Sequence, residues 1–174
     1  MDRETSGCLL LVKKAAILKE IHALLREGKI EKIYLALVCG HWPKQTRQID
    51  VPLKKTQLRS GERLVNVDQE GKAAVTEFRV LRRFEHATLI EAKLQTGRTH
   101  QIRVHAAYGG HPVAGDEKYG NKEYNKQLRA YGCKRLFLHA ASLKFTLPAI
   151  QQAISVKAEL DEDLSGCLEK LSSF

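Results

Sequence analysis

The stretch EKIYLALVCG at 31–40 constrains the fold more than any other. On an extended chain successive side chains alternate between faces, so Ile33, Leu35 and Leu37 share one face and Tyr34, Ala36 and Val38 the other. Both faces are apolar. Such a strand belongs in the interior of a sheet covered on both sides, not in a half-solvated hairpin. A chain of 174 residues can supply those layers for one domain with a sizeable core, and is too short for two comfortable ones.

The rest of the chain reads around that strand. CLLLV at 8–12 is a short apolar run that suits a strand covered on both faces. Ile17, Ile21, Leu24 and Leu25 recur at helical spacing through 15–28, with Gly28 as the stop. The polar, basic stretch 41–72 (HWPK, PLKK, LRSGERL) reads as a surface excursion of loops and short hairpins. Strands are expected at 73–83 and 87–94, joined through RFEH. Helical spacing returns through Ile102, Val104 and Ala106 and ends at Gly109, Gly110 and Pro112. A loop holding GDEKYG, a short helix at 122–132, strands at 135–147 and 153–160, and a terminal amphipathic helix marked by Leu164, Leu168 and Leu171 complete the pattern. With no repeat or linker in it, the chain reads as one mixed α+β domain over 1–174.

The net charge of +9 favours a polyanionic partner, nucleic acid ahead of a membrane surface. The four cysteines lie far apart with no metal-ligand spacing, as expected of reduced thiols in a cytoplasmic protein. No apolar run approaches the ~20 residues of a membrane span, and no secretory signal is evident.

Chemistry concentrates in TGRTHQIRVH at 96–105, where Arg98, His100, Gln101, Arg103 and His105 fall within eight positions of a helix entry. Backbone N–H groups at such an entry and two guanidinium groups suit a phosphate or carboxylate. A zinc site is the weaker reading, because His100 and His105 are five apart and no acid lies between them. The bland alternative is a helix with a solvated basic face; the isolated carboxylate of Asp2 weighs against it. Tyr34 taken alone is a core residue, and its functional reading is a ring that stacks on a base with a phenol poised for proton transfer. HPVAGDEKYG at 111–120, with Asp116 and Tyr119, reads as a structured loop without a catalytic part.

Five segments in order carry a resemblance over nearly the whole chain: DRETSGCLLLVKK, EKIYLALVCG, GKAAVTEFRV, LQTGRTHQIRVHAAYGGHPVAGDEKYG and RLFLHAASLKF. They resemble the motifs of the pseudouridine synthases that act on large-subunit ribosomal RNA. The resemblance implies a catalytic domain built on a mixed, largely antiparallel sheet with flanking helices. It implies isomerisation of specific uridines in 23S RNA: the N1–C1′ bond breaks, the uracil turns and rejoins through C5, and no cofactor is needed because the product is an isomer. By the same resemblance Asp2 is the catalytic carboxylate, either adding to C1′ or abstracting a proton at C2′. Arg103 pairs with it, with Arg98 as runner-up and otherwise a phosphate contact. Tyr34 packs on the uracil and helps remove the C5 proton. His100 contacts RNA, and Leu138 forms an apolar pocket wall. The implied partner is large-subunit ribosomal RNA, with no membrane, no metal and a monomeric enzyme.

The family's first motif is HRLD followed by TSG, whereas this chain has MD followed by RETSG, with Met1 in the place of the Leu. The expectation is a catalytic domain that begins inside its active-site loop, without the upstream strands and small RNA-binding domain usual in the family. Its turnover is then expected to be weak until an upstream segment is restored. The rival reading is a catalytically silent rRNA-binding fragment. An aspartyl phosphotransferase using Asp2 is disfavoured, because the apolar run follows that residue instead of leading into it.

Overall fold

The computed structural model describes residues 2–43, 45–57 and 63–172. Met1 and the LRSGE stretch at 58–62, on which parts of the sequence reading rest, lie outside them. The elements in chain order are β1 (Ser6–Gly7), α1 (Ala15–Arg26), β2 (Glu31–Cys39), β3 (Thr46–Asp50), β4 (Leu53–Gln57), β5 (Arg63–Val67), β6 (Val75–Arg83), β7 (Ala87–Leu94), α2 (Gln101–Tyr108), α3 (Lys122–Arg129), β8 (Leu138–Leu147), a 3-10 turn at Pro148–Ile150, β9 (Gln152–Lys157) and α4 (Glu162–Ser172).

β2 lies between β8 and β7, antiparallel to both, and β6 and then β3 extend the sheet beyond β7. Its two faces enter two different cores. Ala36 and Val38 join Phe78, Val80, Ile90, Ala92 and the α2 residues Ile102 and Ala106. Leu37 and Cys39 join Leu128 of α3 and Leu164, Cys167 and Leu171 of α4. The two-sided apolar pattern therefore has its cause in a helix layer on each face of the sheet. The first half of β2 is only half-buried, while its last four residues are fully enclosed. The open half is where the site lies.

Two expectations fail. CLLLV is not a strand: β1 is only Ser6–Gly7, and Leu9 and Leu11 are 61% and 78% exposed. The reason is a shortage of sheet edge. β1 pairs in parallel with His139 and Ala140 of β8, but from Ser142 onward that edge is taken by β9. The 41–72 stretch, in turn, is more than a surface excursion. β4 and β5 form the expected short hairpin, yet β3 joins the main sheet at β6, and Trp42, Ile49, Leu53 and Val65 are buried. Among the described residues no helix is long and apolar enough to cross a membrane.

Candidate active site

A cavity of about 350 Å³ opens between the start of β2, the end of β7, the N-terminal loop and the loop leading into α2. That volume is at the small end of ligand sites, ~300–1,000 Å³. Its walls include Asp2, Tyr34, Arg98, His100, Arg103 and Leu138, six residues from four separate parts of the chain.

Asp2 is held in place by its own loop. The Thr5 amide donates to the Asp2 carbonyl at 3.1 Å, closing a turn, and Cys8 donates to Ala140 at 2.8 Å just past β1. Gly7 between them has φ +100, and a Cβ there would stand 2.3 Å from the Ala140 carbonyl oxygen. Only glycine allows this close approach. The glycine of TSG thus pins the loop to β8.

Arg103, on α2, bridges two carboxylates. Its Nη1 donates to Asp2 Oδ2 at 3.2 Å, while Nε and Nη2 donate to the two oxygens of Asp116 at 2.7 and 2.8 Å. Asp116 is 1% exposed and accepts further bonds from the Lys118 and Tyr119 amides. Burial opposes its ionisation, but the Arg103 guanidinium and these amides prevail and hold its carboxyl below the usual range. Burial likewise opposes the charge on Arg103, and the two carboxylates raise its value regardless. The sequence pattern puts Asp116 in a structured loop without a catalytic part. It is the nearer partner of Arg103, and its only advance signal was an acid beside glycines after a basic helix.

Arg98 does not reach Asp2. Its Nε donates to the Ala73 carbonyl at 2.9 Å on the exposed rim. The loop it occupies is fixed by Gln101, whose Oε1 accepts from Thr96 Oγ1 and the Arg98 amide and whose Nε2 donates to Val75 and Thr76. α2 has no solvated basic face, since Gln101, Arg103 and His105 are all buried. His105 bonds Thr76 and the Val51 carbonyl, on the side away from Asp2, and among the described residues no group of three metal-ligating side chains forms.

His100 caps α2 in the left-handed region, at φ 54, a conformation costing about 1 kcal/mol or more for a residue with a Cβ. It is tied there by Nδ1 at 2.7 Å from the Tyr119 hydroxyl, which itself accepts from the Val65 amide. The other ring nitrogen, His100 Nε2, lies 3.8 Å from Asp2 Oδ1. Burial lowers the His100 value, against the opposing pull of Asp2, so the ring is neutral at neutral pH. The Tyr34 phenol is pushed above its ordinary value by burial and then by the Asp2 charge. Leu138, 4% exposed, closes the floor of the cavity.

This geometry holds a carboxylate against a guanidinium at the edge of a slot with aromatic and apolar walls. The sequence pattern of the RNA pseudouridylate synthase family matches residues 1–108. The chain is 49% identical over 173 residues to the ribosomal large subunit pseudouridine synthase C of Escherichia coli strain K12, covering 98% of this chain and 54% of that protein. It is 46% identical over 171 residues to the protein of the same name from Pasteurella multocida, covering 98% and 52%. It therefore spans about half the length of the curated relatives it matches. Among solved structures, human RNA pseudouridylate synthase domain containing 1 superposes with a TM-score of 0.80 at 26% identity, covering 96% of this chain and 70% of that one. With more than half of its length matching the family pattern, and close relatives along nearly all of it, the chain belongs to the RNA pseudouridylate synthase family.

Proposed function

We propose that this chain is the catalytic domain of an enzyme that isomerises uridine to pseudouridine in large-subunit ribosomal RNA, with Asp2 as its catalytic carboxylate. The observation that carries the reading is the Arg103 guanidinium, anchored on Asp116 and donating to Asp2 at the wall of a nucleoside-sized cavity. A fixed guanidinium holds the carboxylate beside it in one orientation. Ionisation is needed whether Asp2 adds to C1′ as the N1–C1′ bond breaks or takes a proton from C2′. The uracil then turns and bonds C1′ through C5, and the C5 proton leaves as N1 gains one, so no atom is gained or lost.

Tyr34 packs on the extruded uracil. Its raised phenol value makes it a neutral hydroxyl, suited to relaying the C5 proton and not to acting as a standing phenolate. Leu138 is the apolar wall under the base, and Arg98 and His100 meet the RNA at the mouth. The base must leave its stack, at a cost of a few kcal/mol, which favours uridines in loops. The names of the relatives support large-subunit RNA as the substrate, and such an enzyme works in the cytoplasm as a monomer, with no cofactor.

The test is tritium release from C5-labelled uridine in large-subunit RNA, comparing the chain with Asp2→Ala. Release is expected from the first and none from the variant. Equal release from both would remove Asp2 from the chemistry. RNA retention with no release from either would make the chain a silent rRNA-binding domain.

A further inference from the structure

Lys32 lines the cavity but has no part in the chemistry described so far. It lies two residues before Tyr34 on β2, so both side chains leave the same face of the strand. Its neighbour Glu31 points the other way and is already engaged with Lys93 at 3.1 Å and Lys144 at 3.5 Å. Among the described residues no carboxylate lies within ion-pair distance of the Lys32 ammonium, and burial alone lowers its value. Withdrawing a cation from water without a partner is unfavourable. A site that tolerates it is suited to receiving an anion.

The space for that anion is open. A Cβ on Gly97 would come within 3.5 Å of Lys32 Nζ, so any side chain at 97 would grow into the volume beside the ammonium. Position within the cavity identifies the anion: Lys32 Nζ lies beside Gly97, whereas Asp2 is held by Arg103 of α2. At Gly97, Arg98 and Thr99 the cavity adjoins a second one of about 450 Å³, with Lys55 and Lys72 on its walls beside Lys54, which is paired with Asp68 and Glu70. A path with that succession of cations suits a continuing phosphate backbone.

Resting on the isomerase reading, we infer that Lys32 is a substrate-binding residue that grips a non-bridging phosphate oxygen flanking the extruded uridine. It thereby fixes the depth to which the nucleotide enters, while Arg103 and Asp2 act at the sugar.

The test is binding of the large-subunit RNA hairpin that the protein retains most tightly, measured over a range of salt for wild type, Lys32→Met and Lys32→Arg. A phosphate contact on a single-stranded segment contributes ~0.7 to the slope of log K against log salt. Lys32→Met is expected to weaken binding about tenfold at 0.1 M salt and to flatten the slope by about 0.7, while Lys32→Arg keeps the wild-type slope. Thermal melts verify folding, and Lys32→Gln replaces Lys32→Met if that variant does not fold. An unchanged slope in the neutral variant overturns the proposal, even if affinity falls, because packing of the stem or a contact to uracil would lose affinity without releasing a counterion. Tritium release on the same preparations keeps the two readings apart. A wild type that binds with the Lys32-dependent slope but releases nothing retains the phosphate contact and removes the isomerase reading.

Discussion

Arg103 divides one guanidinium between Asp116, which is buried, and Asp2, which faces the cavity. On the proposed reading the two carboxylates have different tasks: Asp116 positions the guanidinium and Asp2 receives its help. Removing one member of a buried pair leaves the other uncompensated, at about 3 kcal/mol or more. Asp116→Asn is therefore expected to lose about 3 kcal/mol of stability near neutral pH and to lower turnover well over tenfold, since Asp2 loses its fixed partner. The pH dependence has a definite sign. Asp116 is held below the ordinary carboxylate value, ~3.9, so its contribution is complete above that value and is lost as pH falls through the lower folded one. Urea unfolding of wild type and Asp116→Asn at pH 7, 5, 4 and 3 checks this. The gap between them should stay constant from pH 7 to 5 and shrink only at the acid end. A gap that closes between pH 7 and 5 contradicts the assignment. Asp116 was not legible as a partner because an acid in a glycine-rich loop carries no sign of which distant cation it faces.

At the scale of elements, a two-residue strand does the work of a long one. β1 fixes the Asp2 loop through its parallel bridge to His139 and Ala140, and the bridge depends on a glycine at φ +100. Gly7→Ala forces a Cβ to within 2.3 Å of a backbone oxygen, so the loop must move. Strain of this kind costs about 1–3 kcal/mol. The variant is expected to melt lower by about 2 kcal/mol and to lose turnover more severely than Asp116→Asn loses stability; chemical melts and tritium release measure both. Unimpaired release would mean that Asp2 does not need this anchor. The helices and long strands were legible because periodicity is a local property: 15–28, 31–40 and 87–94 all appear where their patterns put them. CLLLV was misread because its composition suits a strand, while the edge it would have needed belongs to β9.

For the whole molecule, a net charge of +9 predicts affinity for RNA that is dominated by phosphate contacts. At ~0.7 per contact, about three contacts make a fourfold rise in salt, from 50 to 200 mM, weaken binding more than tenfold. Filter binding over that range tests it, and an affinity indifferent to salt would assign the charge to something other than RNA. The sequence by itself determined the sheet-and-helix order, the two-sided central strand, the basic character and the ordered motifs that mark the family. All of these depend on neighbours along the chain. Only the tertiary structure decided that Asp2, Tyr34, Arg103 and Leu138 share one cavity wall, that Asp116 and not a solvated face receives Arg103, that Arg98 turns to Ala73, and that Lys32 stands unpaired beside Gly97. The physical reason is common to all four. Which side chains meet is set by strand register, sheet order and the space left by packing, and these bring together residues as much as 136 positions apart, from Asp2 to Leu138, without leaving a trace in local pattern.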